Sequence, residues 1–435
     1  GLVRENGVIL TGTLKALISK FIPRKDYYPD SGFVFAFLLN ARLFVSPLDL
    51  LQEITQFCIF EQNQSSENLR KEPLRRFHEN LLRLLRDWTE DFPTDFASAP
   101  SRDRLSELLS ICEGADAGLH KRVTSLQDNL DARLSKLARY EAALINLKNH
   151  DTPSLFPSEH LQGFCSTGES AALIAQQLTH IELERLSMIG PEELVYNCLS
   201  DTIIPLNQNH QRHQNIGHYK QWFDRLSHLT ASEICRHLKK KHRCEAIELF
   251  IDVAKECFNM GNFNSVMAIF SGLNLNSVTR LKKTWLKVER SKHEILVHQL
   301  NPSGNFGSYR ATLKAAEWRS DAATQQCEKI IVPFFGLFEK DLLYLHQGCA
   351  KRLPNGHIDF SKFQKFAEPV RRFQHWKTVE CPFPQNTPLL QRLLTGPVFT
   401  EKWLQLASFE CESPENSSEK ELHKQLKMEL GYHRN

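Results

Sequence analysis

Serine, histidine and carboxylate side chains are abundant in this chain, but their spacing spells out no familiar catalytic or metal-holding arrangement. His293 and His298 in HEILVH come nearest to a zinc pair. They lie five apart, so a helix turns them onto different faces and they cannot grip one ion together. The chain has no HExxH, no GxSxG elbow, no GxxxxGK[ST] and no GxGxxG. Neither metal-assisted hydrolysis, acyl transfer at an elbow nor a phosphate-cradling loop is therefore indicated. A Ser-His-acid triad is left unsupported, because nothing in the sequence places its members together. Eleven cysteines are scattered singly, with no CxxC pair and no close Cys/His cluster. They read as reduced, intracellular thiols, not as a disulfide framework or zinc site. No cofactor and no metal are expected. The basic run Lys239–Arg243 could attract anionic lipid or nucleic acid, but it reads more simply as a solvated helix face. Net charge is only +3, which gives no polyanion signal, and no nucleic-acid partner is expected.

What remains is noncovalent chemistry on helix surfaces. In PFFGLFEKDLLYLHQG, residues 333–348, Pro333 suits a first helical position and Gly348 a helix stop. At 100° per residue Phe334, Phe335, Leu337, Phe338, Leu342, Tyr344 and Leu345 cover a wide arc that predicts burial. Gly336, Lys340, Leu343 and Gln347 form the thin remaining stripe. Leu343 is the odd member, an apolar residue between a cation and an amide; it reads either as an ordinary exposed leucine or as a contact. In FNSVMAIFSGLNLNSVTRL, Phe263, Val266, Ile269, Phe270 and Leu273 form a core stripe, while Met267, Ser271 and Asn274 share another face. A methionine and an asparagine on one exposed face suit a protein-binding patch.

The elements that carry these stripes read as helices from end to end. The 435 residues suffice for two or three domains with substantial cores. Thr11 or Thr13 can cap a helix through Phe21, Ser31 precedes the apolar helix GFVFAFLLNAR, and Ser46-Pro47-Leu48-Asp49 has the form of a capping box. LRRFHENLLRLLRDWTEDF is a long amphipathic helix and residues 101–113 a shorter one, so residues 1–113 predict a small all-helical domain without strands. Residues 62–68 predict a polar loop. Residues 114–148 predict a linker helix with Leu126, Leu130, Leu134 and Leu137 on one side. The Pro/Ser/Gly/His-rich stretch 149–169 predicts a loop and domain boundary. Helical periodicity then runs from 170 to about 408, with a polar insert at 201–215. The turn Pro354-Asn355-Gly356 leads to Asp359, a candidate cap for FSKFQKFAEPVRRFQHW, which makes a helical hairpin with the 333–348 stretch. Residues 411–435 predict a charged, frayed tail. No signal peptide and no apolar run of spanning length is found, so the expected location is cytoplasmic. The fold class expected is all-α, with a protruding helical hairpin on the larger domain.

The motifs IAQQLTHIE (174–182), ECFNMGNFNSVMAIFSGLNLNSVTRLKKTW (256–285), PFFGLFEKDLLYL and HIDFSKF (357–363) resemble the catalytic domain of Ras-family guanine-nucleotide exchange factors over residues 170–410. DYYPDSGFVFAFLLNARLFVSPLDLL resembles, within residues 1–113, the Ras exchanger motif that precedes that domain. NFNSVMAIFSGLNLNSVTRLKKTW, LPNGHIDF and LASFECESPEN resemble the Ras-GEF domain-containing family 1.

The resemblance implies a partner and a mechanism. The partner is a small GTPase of Ras or Rap type, and family 1 tilts toward Rap. Membrane recruitment would come through the lipid-anchored GTPase. A helical hairpin levers switch I from the nucleotide while the domain core grips switch II. Leu343 matches the leucine that pushes into the magnesium site, and Phe334 an aromatic at the hairpin base. Lys340 lies on the same stripe. Met267 matches a leucine that packs on switch II, and Asn274 an asparagine that bonds to it; Leu273, Asn276 and Thr279 belong to the same matched segment. Phe306 stands where a tyrosine is often found, so stacking survives without the hydroxyl. Gln347 stands where many members carry a glutamate, which keeps an acceptor and loses a charge. That departure leaves open an alternative, a catalytically weak scaffold with the same fold.

Overall fold

A computed structural model describes residues 1–66, 71–149, 168–198, 214–347 and 352–432. Their regular structure is overwhelmingly helical, as expected. Contacts group the chain into two compact units. One comprises Gly1–Ala143, Ile189–His213 and Glu339–Gln374; the other comprises Leu144–Met188, Gln214–Phe338 and His375–Asn435. Most of the 149–169 stretch, the 201–215 insert and the stop at Gly348 lie outside the described residues.

The first unit opens with strands, which corrects the strand-free expectation for residues 1–113. Leu2–Glu5 pairs antiparallel with Val8–Gly12, and Ile358–Asp359 adds a third strand. Asn6 and Gly7 turn the hairpin with φ of +49° and +83°, the left-handed pair that a two-residue hairpin loop requires. Thr13 then caps helix Leu14–Phe21 by accepting from the Ala16 amide. Helix Ser31–Ala41 is capped by Asp30, one residue before Ser31, through the Phe33 amide at 3.0 Å. Ser46 caps Pro47–Ser66 by accepting from the Asp49 amide, and its hydroxyl donates to the Asp49 carboxylate, so the N-cap half of the expected box is formed. That helix continues through residues 62–66, which read as loop in the sequence.

A buried ion pair fixes the centre of this unit. Arg42 bonds Asp95 at 2.9 Å with both side chains almost fully covered. Trp88 Nε1 donates to the same carboxylate at 2.8 Å, and the Arg42 guanidinium lies over Phe92. Such a pair is tolerable in a core only because its remaining donors and acceptors are satisfied; Arg42 also donates to the Leu38 and Leu39 carbonyls.

The second hairpin helix, Phe360–Trp376, belongs to this unit through Gln374 and is capped by Asp359 through the Lys362 amide. Phe360 packs on Phe33, Phe363 on Phe44, and Arg371 lies over Phe35 while donating to the Ser31 carbonyl. The buried Lys362 ammonium donates to the His346 carbonyl at 2.8 Å, tying the end of the first hairpin helix to the second. In helix His120–Asn149, Leu126 and Leu130 are buried and Leu134 and Leu137 half-buried, the seam the spacing predicts.

The second unit is built on helices Ala171–Met188, Asn215–Cys235, Lys240–Met260 and Phe263–Leu273, whose apolar faces share one core. Gly261 ends Lys240–Met260 in the left-handed conformation, φ +84°. Gly272 lets Phe263–Leu273 approach Asn215–Cys235: a Cβ there would lie 2.4 Å from the Ser227 carbonyl oxygen. The C-terminal region departs from the frayed tail expected. Ser417–Glu429 is a helix, capped by Asn416, and Leu426 is buried in the shared core. Charged composition describes the outer face of this helix and hides its one anchoring leucine.

Candidate functional site

The first hairpin helix runs Phe335–Gln347, two residues later than Pro333 suggests. Its four predicted stripe residues, Gly336, Lys340, Leu343 and Gln347, are all exposed. Two members of the predicted buried arc are exposed as well. Tyr344 is 81 % exposed and Leu345 39 %, beside Leu343 at 38 %. The helical wheel gives their angles correctly, but the packing ends before the helix does, and Leu342 at 1 % is its last fully buried residue. Three consecutive apolar residues in water are unusual for a helix without a partner.

The start of this helix is held by groups that no sequence stripe singles out. Phe334 donates its amide to Tyr309 Oη at 2.8 Å, and Phe335 donates to Asn264 Oδ1 at 3.2 Å. Side-chain acceptors thus satisfy amides that a helix start leaves free. Asn264 is in turn oriented by Glu182, whose carboxylate accepts from Asn264 Nδ2 at 3.1 and 3.2 Å. Glu182 also accepts from Tyr219, Trp222 and Ser265 at 2.5 to 3.1 Å. It is fully buried, and no cation is among these partners. Burial raises its pKa while the four side-chain donors oppose the rise. The THIE and NFNS motifs contain Glu182, Asn264 and Ser265, but only the fold brings them to one helix start with Tyr219, Trp222 and Tyr309.

Phe334 sits at the centre of an aromatic group. Its ring centroid lies 6.0 Å from Phe223, 6.1 Å from Phe306 and 6.4 Å from Tyr309. The fold therefore joins two residues chosen separately from the sequence, Phe334 and Phe306. Phe306 is half-buried and ends a left-handed turn, with Gly304, Asn305 and Phe306 at φ +61°, +55° and +59°. A bulky residue seldom holds that conformation.

The 263–279 segment requires one correction, at Met267, while Leu273 is buried as its place on the core stripe predicts. Met267, expected to be partly exposed, is 9 % exposed, and Leu273 is 1 % exposed; both are members of the shared core. The face Met267–Ser271–Asn274 rises out of the core along the helix, from buried through half-buried to exposed. A residue near the helix middle has neighbouring helices on that side, so only the C-terminal end can meet a partner. The accessible part is Asn274, Asn276 and Thr279, all exposed. Asn274 closes helix Phe263–Leu273, with its Nδ2 donating to the Phe270 carbonyl at 3.0 Å. Thr279 Oγ1 donates to the Asn276 carbonyl at 3.4 Å, within the four-residue helix Asn276–Thr279.

Among the described residues no group of three or more His, Cys, Asp or Glu is placed to hold a metal ion. No described helix is long and apolar enough to cross a membrane.

Comparison with known proteins identifies the class to which this overwhelmingly helical chain belongs. Residues 173–364 match the RasGEF domain and residues 8–110 the RasGEF N-terminal motif. The chain is 43 % identical over 440 residues to human Ras-GEF domain-containing family member 1B, covering 99 % of this chain and 93 % of that protein. It is 43 % identical to zebrafish (Danio rerio) member 1B-A, covering 99 % and 85 %, and 42 % identical to human member 1C, covering 98 % and 92 %. The chain belongs to the Ras-GEF family of guanine-nucleotide exchange factors, and its partner is a Ras-family GTPase.

Proposed function

We propose that this protein binds a Rap-type GTPase, opens switch I with the 335–376 hairpin, and promotes GDP release for GTP loading. One observation carries the reading. The described end of helix Phe335–Gln347 offers Leu343, Tyr344 and Leu345 to solvent while the root of the same helix is fixed by Tyr309 and Asn264. Leu343 is the wedge that enters the magnesium site. Lys340 and Gln347 flank it, with Gln347 accepting a hydrogen bond from the phosphate-binding loop. Asn274, Asn276 and Thr279 bond switch II, and Phe306 and Phe334 supply stacking surface. Met267 and Leu273 act beneath that surface as packing, not as contacts. No bond need be made or broken: exchange factor and nucleotide each lower the other's affinity, and the nucleotide leaves. Recruitment to membranes follows from the lipid anchor of the GTPase.

The division that accompanies this reading is a Ras exchanger motif at 1–113, a linker at 114–169, a catalytic domain at 170–410 and an appended 411–435 segment. The neutral Gln347 favours the second reading, a scaffold that binds the GTPase and exchanges slowly. The test is release of labelled GDP from a panel of Ras, Rap and Ral proteins by the full chain. Acceleration strongest with Rap supports the proposal, and binding without acceleration of any member supports the scaffold.

A further inference from the structure

The exposed edge that ends in Thr279 is made of short pieces that cannot hold their own shape. Asn276–Thr279 and Lys282–Trp285 are single turns, and an isolated turn has too few bonds to offset the cost of ordering it. Their order comes from elsewhere in the same unit. Arg280, the residue after Thr279, turns away from the edge toward residues 408–419. Its guanidinium donates to the Ser408 and Glu412 carbonyls at 3.0 and 2.8 Å, reaches Glu419 Oε2 at 3.3 Å, and lies 4.5 Å over the Phe409 ring. Ser408 Oγ donates back to the Ser277 carbonyl at 2.6 Å.

Glu412 holds the second turn. Its carboxylate accepts from the Lys283 and Thr284 amides at 3.1 and 2.8 Å and from Thr284 Oγ1 at 2.7 Å. Arg243, itself buried, stands 3.7 Å from the same carboxylate and donates to Thr284 Oγ1. Thus the amides of one turn and a carbonyl of the other are satisfied by a segment more than a hundred residues away. That segment lies beyond the stretch matching the RasGEF domain, which ends at 364. Leu426 in turn anchors the helix after it into the core.

We propose that residues 408–419 form a clamp that fixes the Asn274–Thr284 edge in the shape that docks the GTPase, with Arg280 and Glu412 as its positioning residues. Neither touches the GTPase; they set its affinity by removing the ordering cost from the binding step. The inference rests on the reading that this edge meets the GTPase, but the clamp itself can be tested without one.

The experiment compares the full chain with Arg280→Gln, Arg280→Lys and Glu419→Gln. Amide hydrogen exchange at residues 276–284 is expected to accelerate about ten-fold or more in Arg280→Gln, while helix Asn215–Cys235 keeps its protection. In exchange kinetics KM for the GDP-bound GTPase is expected to rise about five-fold or more with kcat held within about two-fold, because the lost interaction serves docking and not nucleotide displacement. Arg280→Lys, which keeps the charge and loses the fork, should recover part of the loss. Should Arg280→Gln fail to fold, Glu419→Gln decides, since its carboxylate is the clamp's peripheral partner and smaller changes in the same directions are expected. Unchanged amide exchange at 276–284 in a folded variant overturns the clamp, as does a fall in kcat at constant KM. If the parent chain accelerates release from no GTPase, the functional reading fails, and hydrogen exchange alone still judges the clamp.

Discussion

Leu342 and Leu343 are neighbours in one helix with opposite surroundings, and truncating each to alanine separates stability from function. Leu342 is 1 % exposed. Its replacement loses transfer energy and leaves a cavity, which costs about 2–5 kcal/mol for a buried leucine. Leu343 is 38 % exposed. Full burial of a leucine is worth about 1.5–3 kcal/mol, so about three-fifths of that, roughly 1–2 kcal/mol, is a ceiling for Leu343. No closed cavity results, because the site opens onto water, and alanine's better helix propensity returns a few tenths of a kcal/mol. With about 2–4 °C of melting shift per kcal/mol for units of this size, Leu342→Ala should lower the transition by about 4–20 °C. Leu343→Ala should lower it by about 7 °C or less.

Activity should rank the other way. Leu343 is 38 % exposed, so covering its free part against a GTPase supplies about 0.6–1.1 kcal/mol, and each 1.4 kcal/mol acting only in nucleotide displacement is about ten-fold in rate. Leu343→Ala is expected to slow labelled-GDP release from a Rap-type GTPase about three- to six-fold while Leu342→Ala, assayed below its transition, loses less. The wedge would be falsified by a Leu343→Ala protein that melts like Leu342→Ala, or by one that folds normally and keeps full exchange.

Asn274→Ala removes an exposed side chain with one cap bond, so it should cost about 1 kcal/mol or less in stability but weaken GTPase binding in a titration; unfolding of the unit would show Asn274 to be structural. Gln347→Glu restores a charge beside the wedge and is expected to raise the GDP-release rate or leave it unchanged, and a clear fall would remove Gln347 from the site. His237 is driven down to about 4, first by burial and then by Arg236 beside it, with His242, Glu245 and Arg243 also facing it. The unfolded chain, with an ordinary imidazole near 6.5, binds more protons across that range, so this group's stabilising contribution is complete above about pH 6.5 and is lost as pH falls toward 4. Melts between pH 7 and pH 4.5 should show a shallower decline for His237→Gln than for the parent, and equal slopes would remove His237 as a source.

Much of the fold is legible in the sequence because its signals are local. Thr13, Ser46 and Asp359 cap helices as their positions suggest, and the leucine seam of His120–Asn149 obeys the spacing. The Asn6-Gly7 hairpin is equally local, with apolar residues on either side of the turn, but the helical periodicity of the rest of the domain masks it. The C-terminal helix is harder. Its charges describe the face that meets water, and a single leucine does not reveal that it reaches a core built largely from residues before 300.

The site divides along a different line. Angle on a helix is a property of sequence, whereas exposure is a property of what stands opposite. The wheel puts Leu343 and Gln347 on one stripe correctly, yet it groups Tyr344 with Phe335, one in water and the other 3 % exposed. It likewise gives Met267 and Asn274 the same face, and only the second reaches solvent. Residues that hold the site in place are less legible still. Glu182, Asn264 and Tyr309 converge on the start of one helix from three separate segments, and no spacing encodes that meeting. The proposed exchange by displacement requires no nucleophile, base or metal ligand at a fixed interval, so the residues proposed to act leave no chemical motif behind. What they require is a rigid root and an exposed apolar end on one helix, and a test that moves the root without touching the end is Asn264→Ala. It removes the acceptor of the Phe335 amide and unbalances the Glu182 donors, so it should reduce both stability and exchange, in contrast to Leu343→Ala, which should reduce exchange with little loss of stability.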